Sequence, residues 1–96
     1  MFKKYMMKRL VDPFVELLPK LDLHGETKES AKFLINSFLK DNYLIGNEKV
    51  VIIHGRSTGI LRKETQNILK LSKIVKNYSL DSNNDGQTIV ELIKRT

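Results

Sequence analysis

Apolar and polar positions follow two different periods along this chain. Over Leu21-Asp22-Leu23-His24-Gly25 they alternate, as in a strand with one covered face, and Gly25 ends the run. From Ala31 the spacing changes. Ala31, Leu34, Ile35, Phe38 and Leu39 recur every three or four residues and fall on one side of a helix. Thr27 stands where an N-cap belongs, and Glu29 lies in the first turn, where a carboxylate favours the helix dipole. The pattern predicts a helix from about Lys28 to Asn42. Gly46-Asn47 is a turn. Val50-Val51-Ile52-Ile53 is β-branched throughout and apolar on both faces, as in a central, fully covered strand, and His54-Gly55 ends it. A second helix is predicted from Ile60 to about Ser72, with Leu61, Thr65, Ile68 and Leu69 inward. Ile74–Leu80 reads as a strand, Asp81–Gly86 as a run of turn formers, and Gln87–Ile93 as a final strand closing a hairpin.

The order is strand, helix, strand, helix, strand, strand. Each helix is long enough to cross over between parallel strands, so the class is α/β. No internal repeat or low-complexity stretch interrupts it. Residues 1–20 differ in character: Lys3, Lys4, Lys8 and Arg9 make a basic arm, Pro13 and Pro19 keep any helix in it short, and Val15, Leu17 and Leu18 are its expected anchors. This divides the chain into an arm over 1–20 and one α/β domain over 21–96. A phosphate-binding arm and a solvated terminus both remain open readings.

Composition narrows the class. A chain of 96 residues is one domain, and 41% hydrophobic with 29% charged residues is an ordinary globular balance. There is no cysteine, which excludes disulfides and thiolate metal sites and suits a cytoplasmic protein. No apolar run approaches the roughly 18 residues of a membrane helix, and the lysines of the first residues break up any signal-peptide core. The net charge of +6 and pI of about 9.7 point to a polyanionic partner, nucleic acid first.

The candidate chemistry sits at two strand–His–Gly–helix junctions. In sheets built from such crossovers, ligands bind outside the carboxyl ends of the parallel strands. His24 and His54 both end strands there. Asp22 shares a strand face with His24, so its carboxylate is placed to orient the imidazole or to bond backbone amides. The second junction, His54-Gly55-Arg56-Ser57-Thr58-Gly59-Ile60-Leu61-Arg62, is a glycine-flanked loop entering a helix N-terminus, where free amides and the dipole favour an anion. Arg56 and Arg62 add guanidinium forks for phosphate, and Ser57 or Thr58 is placed to cap the helix. It is not a Walker A loop, since no Gly-Lys-Ser/Thr follows. Asp22, His24 and His54 supply at most three ligands, so no resident metal is assigned, though a transient divalent cation fits the chemistry.

These segments resemble the small MutS-related (Smr) domain family. Leu21-Asp22-Leu23-His24-Gly25, with Glu29-Ser30-Ala31 following, is similar to its Leu-Asp-Leu-His-Gly motif. His54 to Arg62 resembles its His-Gly-x-Gly-x-Gly-x-Leu-Arg motif. Gly86-Gln87-Thr88-Ile89-Val90 resembles the end of its Gly-Gly-x-Gly-x-Thr-x-Val segment. The resemblance spans Leu21 to about Ile93. It implies a two-layer α/β sandwich with a mixed sheet, like the C-terminal domain of translation initiation factor three. It also implies nucleic-acid binding and, in several members, endonuclease activity on DNA or RNA. Asp22 and His24 match the family's catalytic pair, and His54, Gly55, Gly59 and Arg62 match the second motif. With no room here for a MutS ATPase, a stand-alone member is expected. Ser57 replaces the middle glycine, and Asn83 and Asn84 replace the paired glycines of the third segment.

Two functions follow as expectations. One is an endonuclease with catalytic Asp22, His24 and His54 and a phosphate site of Gly55, Arg56, Ser57, Thr58, Gly59 and Arg62. The other is a non-catalytic module that binds nucleic acid or serves as an adaptor for a ribosome or MutS-type protein. Nothing separates DNA from RNA. Tyr5 and Tyr43 are placed to stack on bases and Tyr78 is either core or surface, but aromatics at such positions more often serve packing, and none is assigned as a stacking platform.

Overall fold

The computed structural model describes residues 14–95. The basic positions Lys3, Lys4, Lys8 and Arg9, together with Tyr5 and Pro13, lie outside the described residues. The elements are a 3-10 helix (Val15–Leu17), β1 (Lys20–Asp22), α1 (Lys28–Leu44), β2 (Lys49–Ile53), α2 (Ile60–Leu71), β3 (Val75–Asp81) and β4 (Asn84–Leu92). The sheet order is β1-β2-β4-β3. β1 and β2 pair in parallel, and β4 runs antiparallel between β2 and β3. Both crossovers step the same way across the sheet. With right-handed connections this puts both helices on one face.

That face holds the core. Leu23, Ala31, Ile35, Leu39, Val50, Ile52, Leu69, Val90 and Leu92 form one buried cluster, with Leu34, Phe38, Leu61 and Ile68 packed on it. Each fully buried Leu or Ile contributes about 1.5–3 kcal/mol of transfer free energy. Tyr43 and Tyr78 are half-buried against the same cluster, so they serve packing. On the opposite face Val51 is fully buried. The 3-10 helix lies on that side: the Lys20 ammonium donates to the carbonyls of Val15, Glu16 and Leu18 at 2.9, 3.0 and 3.1 Å. Val15 is buried and anchors the segment, whereas Leu17 is 79% exposed and does not.

α1 begins as expected at Thr27, whose hydroxyl accepts from the Ser30 amide while Ser30 Oγ accepts from the Thr27 amide. Both helices match their predicted spans within two residues. The hairpin differs. The turn-forming run is short: Asp81 already pairs with Asn84, and β4 begins there. Asp81 Oδ1 accepts from the Asn83 amide and Oδ2 from the Gln87 side chain, which tightens the reversal. No non-glycine residue among those described has positive φ, so the turn is not of the primed kind, and register shifts in the β3–β4 ladder absorb the mismatch. No helix among the described residues is long and apolar enough to cross a membrane.

Candidate functional site

The three segments singled out in the sequence meet at one edge of the sheet. Asp22 pairs with Ile53 in the parallel β1–β2 ladder, and the Leu23 amide extends it by donating to Ile53 O at 2.9 Å. On the other side of β2, Gln87 pairs with Ile53. The Gly86 carbonyl accepts from both the His54 amide (3.0 Å) and the Gly55 amide (2.9 Å). The start of β4 therefore clamps the β2–α2 junction beside the β1–α1 junction.

The two histidines are not equivalent. His24 lies in a turn closed by Glu26 N–H donating to Leu23 O at 3.0 Å, with Gly25 at φ +80° where only glycine sits without strain. Its imidazole is exposed and bonds to no group among the described residues. Asp22 does not touch that ring. Its Oδ1 accepts from the His24 backbone amide at 2.9 Å, and its Oδ2 has no partner among the described residues. Asp22 thus fixes the backbone that carries the imidazole. Of the two readings open for the Asp22 carboxylate, the bond to a backbone amide is the one present and the contact with the imidazole is not.

His54 is only 7% exposed. Strand alternation places it with Leu23, Ile52 and Thr88 on the helix-covered side, whereas Asp22 lies with Ile53 on the other. The predicted trio therefore shares an edge but not a face. His54 Nδ1 contacts Gly55 O at 3.0 Å, so it carries the proton, and Nε2 accepts from the Thr88 hydroxyl at 2.8 Å. Burial pushes this imidazole below its ordinary pKa, and the Arg62 cation adds to the lowering. With both nitrogens engaged, His54 holds the junction in shape.

The loop beyond it is open. The amides of Arg56, Ser57, Thr58 and Gly59 donate to no acceptor among the described residues. Gly59 is the α2 N-cap, at φ +78° and without a side-chain cap; Thr58 Oγ1 accepts from the Ile60 amide at 3.3 Å. Gly55 also has positive φ, at +80°, but Ser57, Asn83 and Asn84 do not. The three substitutions at usual glycine positions therefore cause no backbone strain. Arg62 is exposed and has no ion-pair or hydrogen-bond partner among the described residues, while close enough to His54 to disfavour its protonation. Arg56 is engaged: its Nε pairs with Asp85 Oδ1 at 2.6 Å. No three His, Asp or Glu side chains among the described residues gather as a metal cluster.

Sequence reasoning named Gly86 and Thr88 only within the third motif, with no role at this edge, and did not single out Asp85. Thr88 had a legible signal. It lies on the inward row of β4 with Val90 and Leu92, where a hydroxyl needs a buried partner.

Known proteins are similar to this chain in sequence and in fold. Endonuclease MutS2 of Caldanaerobacter subterraneus subsp. tengcongensis is 42% identical over 80 residues, 80% of this chain and 10% of that protein. Endonuclease MutS2 of Clostridium botulinum is 40% identical over 82 residues, covering 82% and 10%. The chain thus spans about a tenth of the length of these relatives. The crystal structure of the Smr domain of Thermus thermophilus MutS2 superposes with a TM-score of 0.74 at 25% identity, covering 79% of this chain and 99% of that one. YdaL, a stand-alone small MutS-related protein from Escherichia coli, shares the fold with a TM-score of 0.73 at 21% identity, covering 97% and 82%. The family model for the Smr domain matches residues 21–93, and the chain belongs to the Smr domain family.

Proposed function

We propose that this domain binds nucleic acid at the β1–β2 edge and cleaves its phosphodiester bonds. The observation that carries the reading is the juxtaposition of an exposed, unpartnered imidazole at His24 with an anion-ready loop. Four amides over Arg56 to Gly59 and the Arg62 guanidinium, none with a partner among the described residues, form that loop. They match a phosphate and the charge that develops on it during displacement. His24 acts as general base on the attacking hydroxyl, from water or from a ribose. Asp22 steadies His24 through its backbone, and its free Oδ2 is within the same turn. His54 is a structural clamp in this scheme and leaves protonation of the departing oxygen to solvent. The MutS2 relatives are named endonucleases, which supports the same chemistry.

One observation favours binding without cleavage. Of the three candidate catalytic groups, only the His24 ring is wholly without a partner among the described residues, since both His54 nitrogens and the Asp22 Oδ1 are committed to structure. In that reading nucleic acid, or a ribosome or MutS-type protein carrying it, is held without turnover. Both readings require Arg62. Labelled single-stranded RNA and linear and branched DNA, incubated with wild type and Arg62→Ala, test the proposal. Cleavage and salt-dependent binding that Arg62→Ala weakens support it. Affinity indifferent to salt and to Arg62 overturns it.

A further inference from the structure

Arg56 stands in the anion loop, yet its guanidinium already has an anion. Nε donates to Asp85 Oδ1 at 2.6 Å and Nη2 to Asn84 Oδ1 at 3.3 Å, so the Nε–Nη2 edge is filled from β4. The arginine stem crosses Gly86, where an added Cβ would meet Arg56 Cγ at 3.4 Å and Asn84 Oδ1 at 3.1 Å. Asn84 is itself fixed, since its Oδ1 also accepts from the Gly86 amide at 3.0 Å.

We infer that Asp85 is a built-in competitor for phosphate at Arg56, setting how much this loop contributes to nucleic-acid affinity. The inference rests on the nucleic-acid reading above and adds a specificity-determining residue to it. A phosphodiester carries one negative charge, as does the carboxylate. Transfer of Arg56 from Asp85 to phosphate exchanges one ion pair for another and leaves Asp85 unpaired beside the incoming anion. Arg56 then contributes little net affinity while Asp85 is present. Arg62, with no such partner among the described residues, carries the attraction. Both members of the Arg56–Asp85 pair are 66% exposed, so the pair opens readily and its effect is modest.

The test is a double-variant cycle on oligonucleotide affinity, using the full chain and a labelled single-stranded oligonucleotide. Asp85→Asn keeps an acceptor for Nε and removes the charge. It is expected to tighten binding roughly two- to fivefold, the size an exposed ion pair carries. The plot of log affinity against log salt should steepen by about 0.7, the increment of one added phosphate contact on a single strand. Arg56→Ala should weaken binding less in wild type than in the Asp85→Asn background, where it should cancel the gain. Equal tightening by Asp85→Asn with and without Arg56 would reduce the effect to bulk charge and overturn the inference. So would an Arg56→Ala loss as large in wild type as in the Asp85→Asn background. If no variant binds any oligonucleotide, the nucleic-acid reading fails and the inference falls with it. If wild type binds and the cycle shows no coupling, only the inference fails.

Discussion

Thr88→Val tests whether the His54 clamp shapes the β2–α2 junction. Valine matches threonine in shape, so the change removes a hydroxyl without opening a cavity. Thr88 is 1% exposed and His54 7%, so water cannot replace the lost donor at His54 Nε2. The bond is 2.8 Å long. An unpaired buried acceptor costs about 1–3 kcal/mol, more than the net value of an ordinary hydrogen bond. For a domain of this size each kcal/mol lowers Tm by about 4–8 °C. Urea unfolding of wild type and variant gives the difference directly, and the m-value should not change, because the same surface is exposed on unfolding. Oligonucleotide affinity should fall as well, since the Gly55–Gly59 loop follows the clamp. A midpoint that does not move would refute the assignment of Thr88 as the donor that holds His54.

His54 also imposes a pH dependence. Its folded pKa lies below the ordinary 6.5, so near that value the unfolded chain binds a proton that the folded chain does not. Stability from this group is complete above about pH 6.5 and is lost as pH falls, with a slope of at most about 1.4 kcal/mol per pH unit. Urea midpoints across pH should show the decline, and His54→Gln should flatten it. Gly59→Ala should cost roughly 1–2 kcal/mol through its φ of +78° alone, because a Cβ there meets nothing within 4 Å; a midpoint unchanged in thermal unfolding would contradict this. Ile35→Ala, at a fully buried position of α1, should cost about 2–5 kcal/mol by the same measurement.

Much of the fold was legible because its determinants are local. The stripe of Ala31, Ile35 and Leu39, the Thr27 cap and the β-branched run at Val50–Ile53 each fix an element within a few residues. The place of β4 between β2 and β3 was not legible, since strand order depends on pairings far apart in sequence. The site divided along the same line. Its position at the carboxyl ends of β1 and β2 followed from connectivity. The commitments of its side chains did not. His54 meets Thr88 across 34 residues, and Arg56 meets Asn84 across 28, contacts that exist only once the sheet is assembled. At Asp22 the spacing leaves two acceptances open, the ring and the amide of the same His24, and the structure has the amide.

Cleavage by Asp22→Ala/His24→Ala beside wild type tests the central claim most directly, on labelled single-stranded RNA and on linear and branched DNA. Wild type is expected to cut at least one of these. The double variant should cut it about 100- to 10,000-fold more slowly, the contribution of a positioned general base, while still binding it. Equal cutting by both proteins, or no cutting of any substrate by wild type, would contradict the claim.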